Sequence, residues 1–468
     1  MELKKKYGLP MAICMVVGIV IGSGVFFKAQ TILQQTEGNM TLGVLAWIIG
    51  GAIMMVCALT FSKMATKYEK INGIVDYAEA TVGKGYAYVM GWFSGVVYCP
   101  GLSGVLAWLC ARYTLTFMVS VNPDFGLAIA VADGGTVIGP ECLALTMFYL
   151  CAAYAMNALS PKLAGKFQIS TTVIKLIPLG LMAVVGTIYG LNNGMTEQNF
   201  LMTSTDVLAT AGTGHPLFMG VVATAFAYEG WIIATSINAE LKNAKKNLPL
   251  ALVVGAIIII VIYIGYFVGV AGGATVEQLM NDGATVAFTN IFGNVLGNVL
   301  NLFIAISCMG TLNGLMLGSC RGLYALAARG QGPSPKTFGV VDPVTNMPTN
   351  SAVVGLMLSC LWGCYFYFAN LSGAPSDWLG KFVFDSSELP IITLYGLYLP
   401  IFICYMKKNK DGKVMDRWIL PILACIGSLF MITACIISHG MANVYYLIVF
   451  AVIMIIGGLF YKGNSIKK

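Results

Sequence analysis

Charge is scarce in this chain of 468 residues: Asp, Glu, Lys and Arg together make up 10% of it, and only two residues are histidine. A soluble domain is about 25% charged, so this composition cannot cover a water-facing surface. The 58% of residues that are hydrophobic must find their solvent in a bilayer. Nucleic-acid binders and cytosolic enzymes are thereby excluded. His215 and His439 are the whole histidine supply, and no H-E-x-x-H or G-x-S-x-G pattern is present, so a membrane-embedded hydrolase lacks its constellation. No C-x-x-C pair occurs. All 13 cysteines lie inside or at the ends of apolar stretches. They read as small core residues, with no metal site, no disulfide framework and no disulfide-linked partner subunit expected. A P-loop is missing as well, so the expected driving force is a gradient of substrate or ion, and no cofactor is expected.

Long apolar runs, by contrast, are abundant. A spanning helix needs about 20 mostly apolar residues, and twelve stretches qualify, near 10–35, 42–62, 86–118, 141–157, 167–189, 214–238, 249–271, 286–326, 349–369, 382–405, 417–437 and 442–461. The fold class expected is an all-α integral membrane protein with 12 transmembrane helices in one membrane domain. The third and eighth stretches exceed one crossing, which predicts tilt or protrusion. The first run is too long for a cleavable signal peptide and lacks a small-residue cleavage site.

The net charge of +7 is sorted by side. With the N-terminus inside, Lys4, Lys5 and Lys6, the group from Lys63 to Lys84, Lys162, Lys166, Lys242, Lys245, Lys246, Arg321, Arg329, Lys336 and the group from Lys407 to Arg417 all fall on the cytoplasmic side. The opposite loops 119–140 and 190–213 carry Asp124, Asp133, Glu197 and Asp206 and no Lys or Arg. This asymmetry predicts a multi-pass protein of the plasma (inner) membrane with both termini cytoplasmic. Lys28, Arg112 and Lys381 lie toward outer helix ends, where snorkelling or an interfacial partner accounts for them. Lys175 lies too deep for that.

Two stretches contain backbone punctuation at membrane depth: Gly18-Ile19-Val20-Ile21-Gly22-Ser23-Gly24-Val25-Phe26 in the first, and Phe226-Ala227-Tyr228-Glu229-Gly230-Trp231 in the sixth. Small residues also let helices pack closely, so either stretch alone is ambiguous. The two occupy corresponding places in two five-helix halves, however, and Gly-interrupted segments so placed point to the substrate site of an inverted-repeat transporter. A broken helix offers N–H groups to a carboxylate at one end and C=O groups to an ammonium at the other.

The same residues resemble a known family. Gly22-Ser23-Gly24-Val25-Phe26 is similar to the G-S-G-[IV]-F signature of the amino acid–polyamine–organocation (APC) superfamily, and Phe226 to Trp231 resembles the F-A-Y-x-G-W of its L-type amino acid transporter branch. Asn238 to Asn243 and Leu248-Pro249-Leu250, Arg112-Tyr113, and Ser307 to Gly314 continuing to Arg321 and Tyr324 extend the match in order to about residue 330. The sequence departs from the pattern at Asn243-Ala244, where Asn-Pro is usual, and at Glu229, a position often small in that branch.

The resemblance implies a LeuT-type 5+5 inverted repeat (10–190 and 214–405) with helices 1 and 6 broken and two accessory helices (417–461). It implies secondary transport of amino acids by alternating access, without sodium: exchange or proton-coupled uptake of neutral amino acids. Cationic amino acid or polyamine transport is the alternative, and a channel or receptor is a remote one that leaves the paired breaks unexplained. The implied partners are a small amino acid, the lipid bilayer and, as a candidate coupling ion, protons. The substrate carboxylate would sit at Gly22, Ser23 and Gly24. The amino group would meet Val20, Phe226, Ala227 and Glu229, with Phe226 also the outer gate. Tyr98, Pro100, Gly101 and Ser103 on the third helix are expected to form the side-chain pocket. Glu229 is a proton candidate, since burial favours the neutral form of a carboxylate. Asp385 and Glu388 are expected to line the outer vestibule. Lys175 would take the place of a coupling sodium ion, with Ser307 and Thr311, four residues apart and so on one helix face, offering it hydroxyl acceptors.

Overall fold

The computed structural model describes residues 8–68, 73–122, 131–132, 136–137, 139–201, 215–234, 241–345, 347–370 and 382–462. Its helices are α1 (Leu9–Val20), α2 (Gly24–Gln35), α3 (Met40–Tyr68), α4 (Ile74–Thr81), α5 (Lys84–Val121), α6 (Pro140–Leu159), α7 (Leu163–Asn192), α8 (His215–Ala227), α9 (Trp231–Ala234), α10 (Ala244–Gly273), α11 (Ala284–Ala327), α12 (Thr349–Asn370), α13 (Leu389–Lys408), α14 (Met415–His439) and α15 (Met441–Leu459), besides a few shorter turns. Even the Val- and Ile-rich runs are helical, because in lipid a helix satisfies every backbone N–H and C=O within its own segment. Ten of these helices are long and apolar enough to cross a membrane, and α1 and α8 hold two shorter apolar runs, Leu9–Gly18 and Pro216–Ala227.

Helix boundaries depart from the hydropathy reading at two places in particular. The eighth stretch is not one tilted rod: at Gly293 the backbone turns to φ +81°, dividing α11 near its start. The tenth begins at Leu389 rather than 382. Residues 382–388 form an extended stretch and a turn, in which the Asp385 carboxylate accepts from the N–H groups of Ser387 and Glu388. Between α5 and α6, two-residue strands β1 (Val131–Ala132) and β2 (Thr136–Val137) pair antiparallel.

The centre of the bundle is the crossing of α5 and α11, the most extensive contact between any two elements. Glycines set its closeness: a Cβ on Gly95 would lie 3.0 Å from the Cα of Gly322. Such small-residue crossings replace the hydrophobic drive that lipid removes. α7 is wedged between α1 and α11, since Thr172 fills the space beside Gly18 and Thr171 the space beside Gly310.

Candidate functional site

α1 ends at Val20, residues 21–23 leave the helix, and α2 restarts at Gly24. α8 ends at Ala227, residues 228–230 form a turn with Gly230 at φ +104°, and α9 restarts at Trp231. Both sequence-predicted breaks are thus present, and they face one cavity of about 450 Å³. Val20, Gly22, Ser23, Gly24, Phe226 and Glu229 line it, as do Tyr98 and Thr311. Its far end is polar: Asn157 Nδ2 donates to Asn313 Oδ1 at 2.9 Å, Asn313 Nδ2 donates to Gln168 Oε1 at 3.3 Å, and Arg321 stands at the cavity wall beyond them.

The third helix contributes differently from expectation. Pro100 has no N–H to bond the carbonyl four residues earlier. That carbonyl, Val96 O, accepts instead from the indole Nε1–H of Trp362 at 2.9 Å, and α5 widens to a π turn over Ser94–Tyr98. The turn delivers Tyr98, whose hydroxyl donates to the Glu229 carboxylate. Tyr98, Leu102 and Leu106 line the cavity because spacings of four residues share a face. Pro100, Gly101 and Ser103 lie off that face: Gly101 is nearest Trp362, and Ser103 Oγ is 3.4 Å from Ser319 Oγ on α11. They shape the helix and its packing and do not line the cavity.

Ala227 also turns away from the cavity. Its carbonyl accepts from the hydroxyl of Tyr263 on α10 at 2.8 Å, and the same hydroxyl is 3.3 Å from Val20 O. One phenol therefore joins the C-terminal ends of both half-helices. Glu229 N–H closes back onto Phe226 O at 3.4 Å. Gly24 owes its lack of a side chain to helix packing: a Cβ there would lie 2.7 Å from the Cα of Ala227. At Gly22 the neighbour is Thr311, whose Oγ1 would be 3.0 Å from such a Cβ.

Lys175 is 1% exposed and donates to Gly18 O at 2.7 Å. The expected hydroxyl acceptors do not receive it. Thr311 Oγ1 donates to Ser307 O at 3.2 Å, and Ser307 Oγ is buried with no hydrogen-bond partner among the described residues. The reason is local: the break after Val20 frees carbonyls at the end of α1, and a cation at a helix C-terminus is favoured by the unpaired C=O groups and the dipole.

On the other side of Phe226 lies an ion pair that hydropathy concealed. Lys28 does not snorkel. It is 4% exposed, pairs with Glu388, and its Nζ stands 5.5 Å from the centre of the Phe27 ring and 5.7 Å from that of Phe226. Phe27 and Phe226 meet edge to face at 5.3 Å. Glu388 is therefore buried and ion-paired rather than open to a vestibule, and His439 Nε2 approaches its second oxygen at 3.5 Å. Arg112 lies over the rings of Trp108 and Tyr113 at 5.6 and 5.5 Å. Lys381, Asn238 to Glu240, and Lys4 to Lys6 lie outside the described residues.

Comparison with known proteins agrees with this geometry. Residues 7–460 match the amino acid permease family. The serine/threonine exchanger SteT of Bacillus subtilis (strain 168) is 27% identical over 452 residues, covering 94% of this chain and 93% of its own. The b(0,+)-type amino acid transporter 1 of Mus musculus is 24% identical over 460 residues (96% and 86%), and the human cystine/glutamate transporter 25% over 363 residues (75% and 66%). Among solved structures, MhsT in complex with L-phenylalanine superposes with a TM-score of 0.59 at 13% identity, covering 96% of this chain and 99% of that one. At that identity the likeness speaks for the fold alone, which is of the LeuT type.

Proposed function

We propose that this chain, which belongs to the amino acid permease family and is an amino acid transporter rather than an enzyme, exchanges neutral amino acids across the plasma membrane by alternating access, without sodium. The observation that carries the reading is the pair of unwound segments, 21–23 and 228–230, facing one cavity. The N–H groups opening α2 at Gly22, Ser23 and Gly24 suit a carboxylate, and the carbonyls of Val20 and Phe226 suit an ammonium. Phe226 is the lid, backed by Lys28 and Glu388. The cavity continues the other way, toward Asn313 and Arg321. By the positive-inside rule that is the cytoplasmic side, so the conformation is closed outside and open inward.

Twelve crossings follow if α1 with α2, and α8 with α9, each count as one. The repeats then run 10–190 and 214–405, 417–461 is accessory, and both termini are cytoplasmic. Lys175 substitutes for a coupling sodium ion by holding α1 through Gly18 O. In proteoliposomes, counterflow of a labelled neutral amino acid should be driven by internal substrate alone and be equal in sodium and choline buffers. Sodium-dependent uptake would overturn the reading.

A second reading rests on Glu229, whose carboxylate lines the cavity. It could serve a cationic amino acid or polyamine, or a proton. Lysine or putrescine outcompeting every neutral amino acid in the same counterflow panel would favour the cationic version.

A further inference from the structure

Glu388 has two oxygens and two claimants. One oxygen pairs with Lys28; the other faces His439 Nε2 at 3.5 Å. Asp385 lies one turn before, and a donor atom from each of Asp385, Glu388 and His439 falls within 4.8 Å of the others. The three come from different places: Asp385 and Glu388 from the turn preceding α13, and His439 from the last residue of α14. They sit at the end of α13 opposite Lys407 and Lys408, and Asp385 and His439 are partly open to solvent.

We propose that Asp385, Glu388 and His439 form a site for a divalent ion of the zinc class at the outer end of the bundle, and that the ion competes with Lys28 for Glu388. One imidazole nitrogen and two carboxylates are a recognised donor set for zinc, whose bonds to them are about 2.0–2.2 Å long. Tetrahedral ligands at that distance stand roughly 3.3–3.5 Å apart, which is already the Glu388 to His439 separation. Asp385 has to close by about an ångström. Its Oδ1 accepts from the N–H groups of Ser387 and Glu388 and from the Ser387 hydroxyl, which leaves Oδ2 as the oxygen to be recruited. His439 Nδ1 lies 3.7 Å from Cys435 Sγ one helical turn earlier. A hydrogen bond from Nδ1 leaves Nε2 free as the metal-facing atom, the arrangement seen around ligating imidazoles.

The competition follows from charge. With Lys28 paired, the formal charges of Lys28, Asp385 and Glu388 sum to −1. A dication added beside the ammonium meets a like charge at close range, so binding it and keeping the Lys28–Glu388 pair are mutually unfavourable. Zinc would therefore tie the start of α13 to the end of α14 and release α2, and exchange would slow because the outer side cannot close. The binding itself does not rest on the transport reading; only the slowed exchange does.

The test uses the full chain, purified in detergent, with zinc or cobalt as the only added ion. Isothermal titration should find one zinc per chain, and cobalt should give the visible absorption of a tetrahedral site. His439→Ala and Asp385→Asn should each weaken zinc binding about tenfold or more, with melting temperature in metal-free buffer as the control for folding. Lys28→Met should tighten it about tenfold, since a competing charge is gone; Lys28→Gln serves if the first variant fails to fold. Absence of binding at millimolar zinc, or unchanged binding in both His439→Ala and Asp385→Asn, would overturn the site. Unaltered affinity in folded Lys28→Met and Lys28→Gln would overturn the competition. External zinc that binds without slowing exchange would leave the site standing and refute its link to closure.

Discussion

The ammonium group of Lys175 lies 2.7 Å from the carbonyl oxygen of Gly18, an acceptor that the break after Val20 releases from its partner four residues on. Lys175 is thus a side-chain cap on a half-helix, placed by a helix that touches α1 through Thr172 and α11 through Thr171. Its removal strands a buried carbonyl, at a cost of about 1–3 kcal/mol, and unties α7 from α1. Lys175→Ala should lower exchange more than tenfold while the protein stays monodisperse, with a reduced melting temperature. Full exchange by a folded Lys175→Ala protein would show that the link is dispensable.

The glycines of the first break answer to different neighbours. At Gly24 a Cβ meets backbone, Ala227 Cα at 2.7 Å, which cannot move aside without separating α2 from α8. Gly24→Ala is expected to destabilise the fold by about 1–3 kcal/mol as an overpacked contact, visible as a lower melting temperature.

Gly22→Ala should act on function instead. Its new methyl group meets Thr311 Oγ1 at 3.0 Å, the end of a side chain that lines the cavity. The variant should fold and lose substrate affinity, and Gly22→Ala with Thr311→Ala should recover part of it because the obstructing atom is gone. A double variant no better than the single one would mean that the Cβ blocks the ligand directly.

Much of this was legible in the sequence, and the boundary of legibility is physical. Gly22, Gly24 and Gly230 mark the two breaks, but of the three only Gly230 takes a left-handed backbone, at φ +104°; Gly22 and Gly24 are small because Thr311 and Ala227 stand against them. Lys175 announces a partner because a buried cation must have one. The identity of that partner was not legible: Ser307 and Thr311 fit by spacing, but the freed Gly18 carbonyl lies closer to hand. Tyr263 sits in the apolar run Ile262-Tyr263-Ile264 and reads as core, since what its hydroxyl meets depends on how α10 crosses both half-helices. Lys28 and Glu388 are separated by 360 positions, and nothing local joins them. Tyr98 and Leu102, by contrast, share a face by helical periodicity, but periodicity alone also allows Gly101, three residues after Tyr98, and only the packing against Trp362 sets it apart.

Glu229 and Tyr98 form a hydrogen bond at the cavity wall that a transported proton could use. If the carboxylate titrates during the cycle, exchange varies with pH between about 5 and 8, and the variation carries its signature. Glu229→Gln should flatten that profile, and Tyr98→Phe should displace it, because a donor to the charged form has been taken away. A wild-type profile already flat over the range would confine Glu229 to substrate selectivity or to the structure of the turn.

The Lys28–Glu388 pair gives the most stringent test of closure. Both side chains are nearly sequestered, at 5% and 8% exposure, so deleting one partner leaves a charge without a counter-ion at a cost of about 3–5 kcal/mol. Deleting both removes the desolvation penalty along with the attraction, and a buried pair replaced as a unit is often close to neutral. Lys28→Met and Glu388→Gln should therefore each lower the melting temperature, and the double variant should be more stable than Lys28→Met alone. Exchange should follow a different order. If the pair only braces the fold, the double variant regains both stability and exchange. If it closes the outer side over Phe226, the double variant regains stability but not exchange, because the attraction that draws α2 onto the start of α13 is missing whether one charge or both are gone. Additive losses of stability in the two single variants would mean that the groups do not interact, and the closure assignment would fall with them.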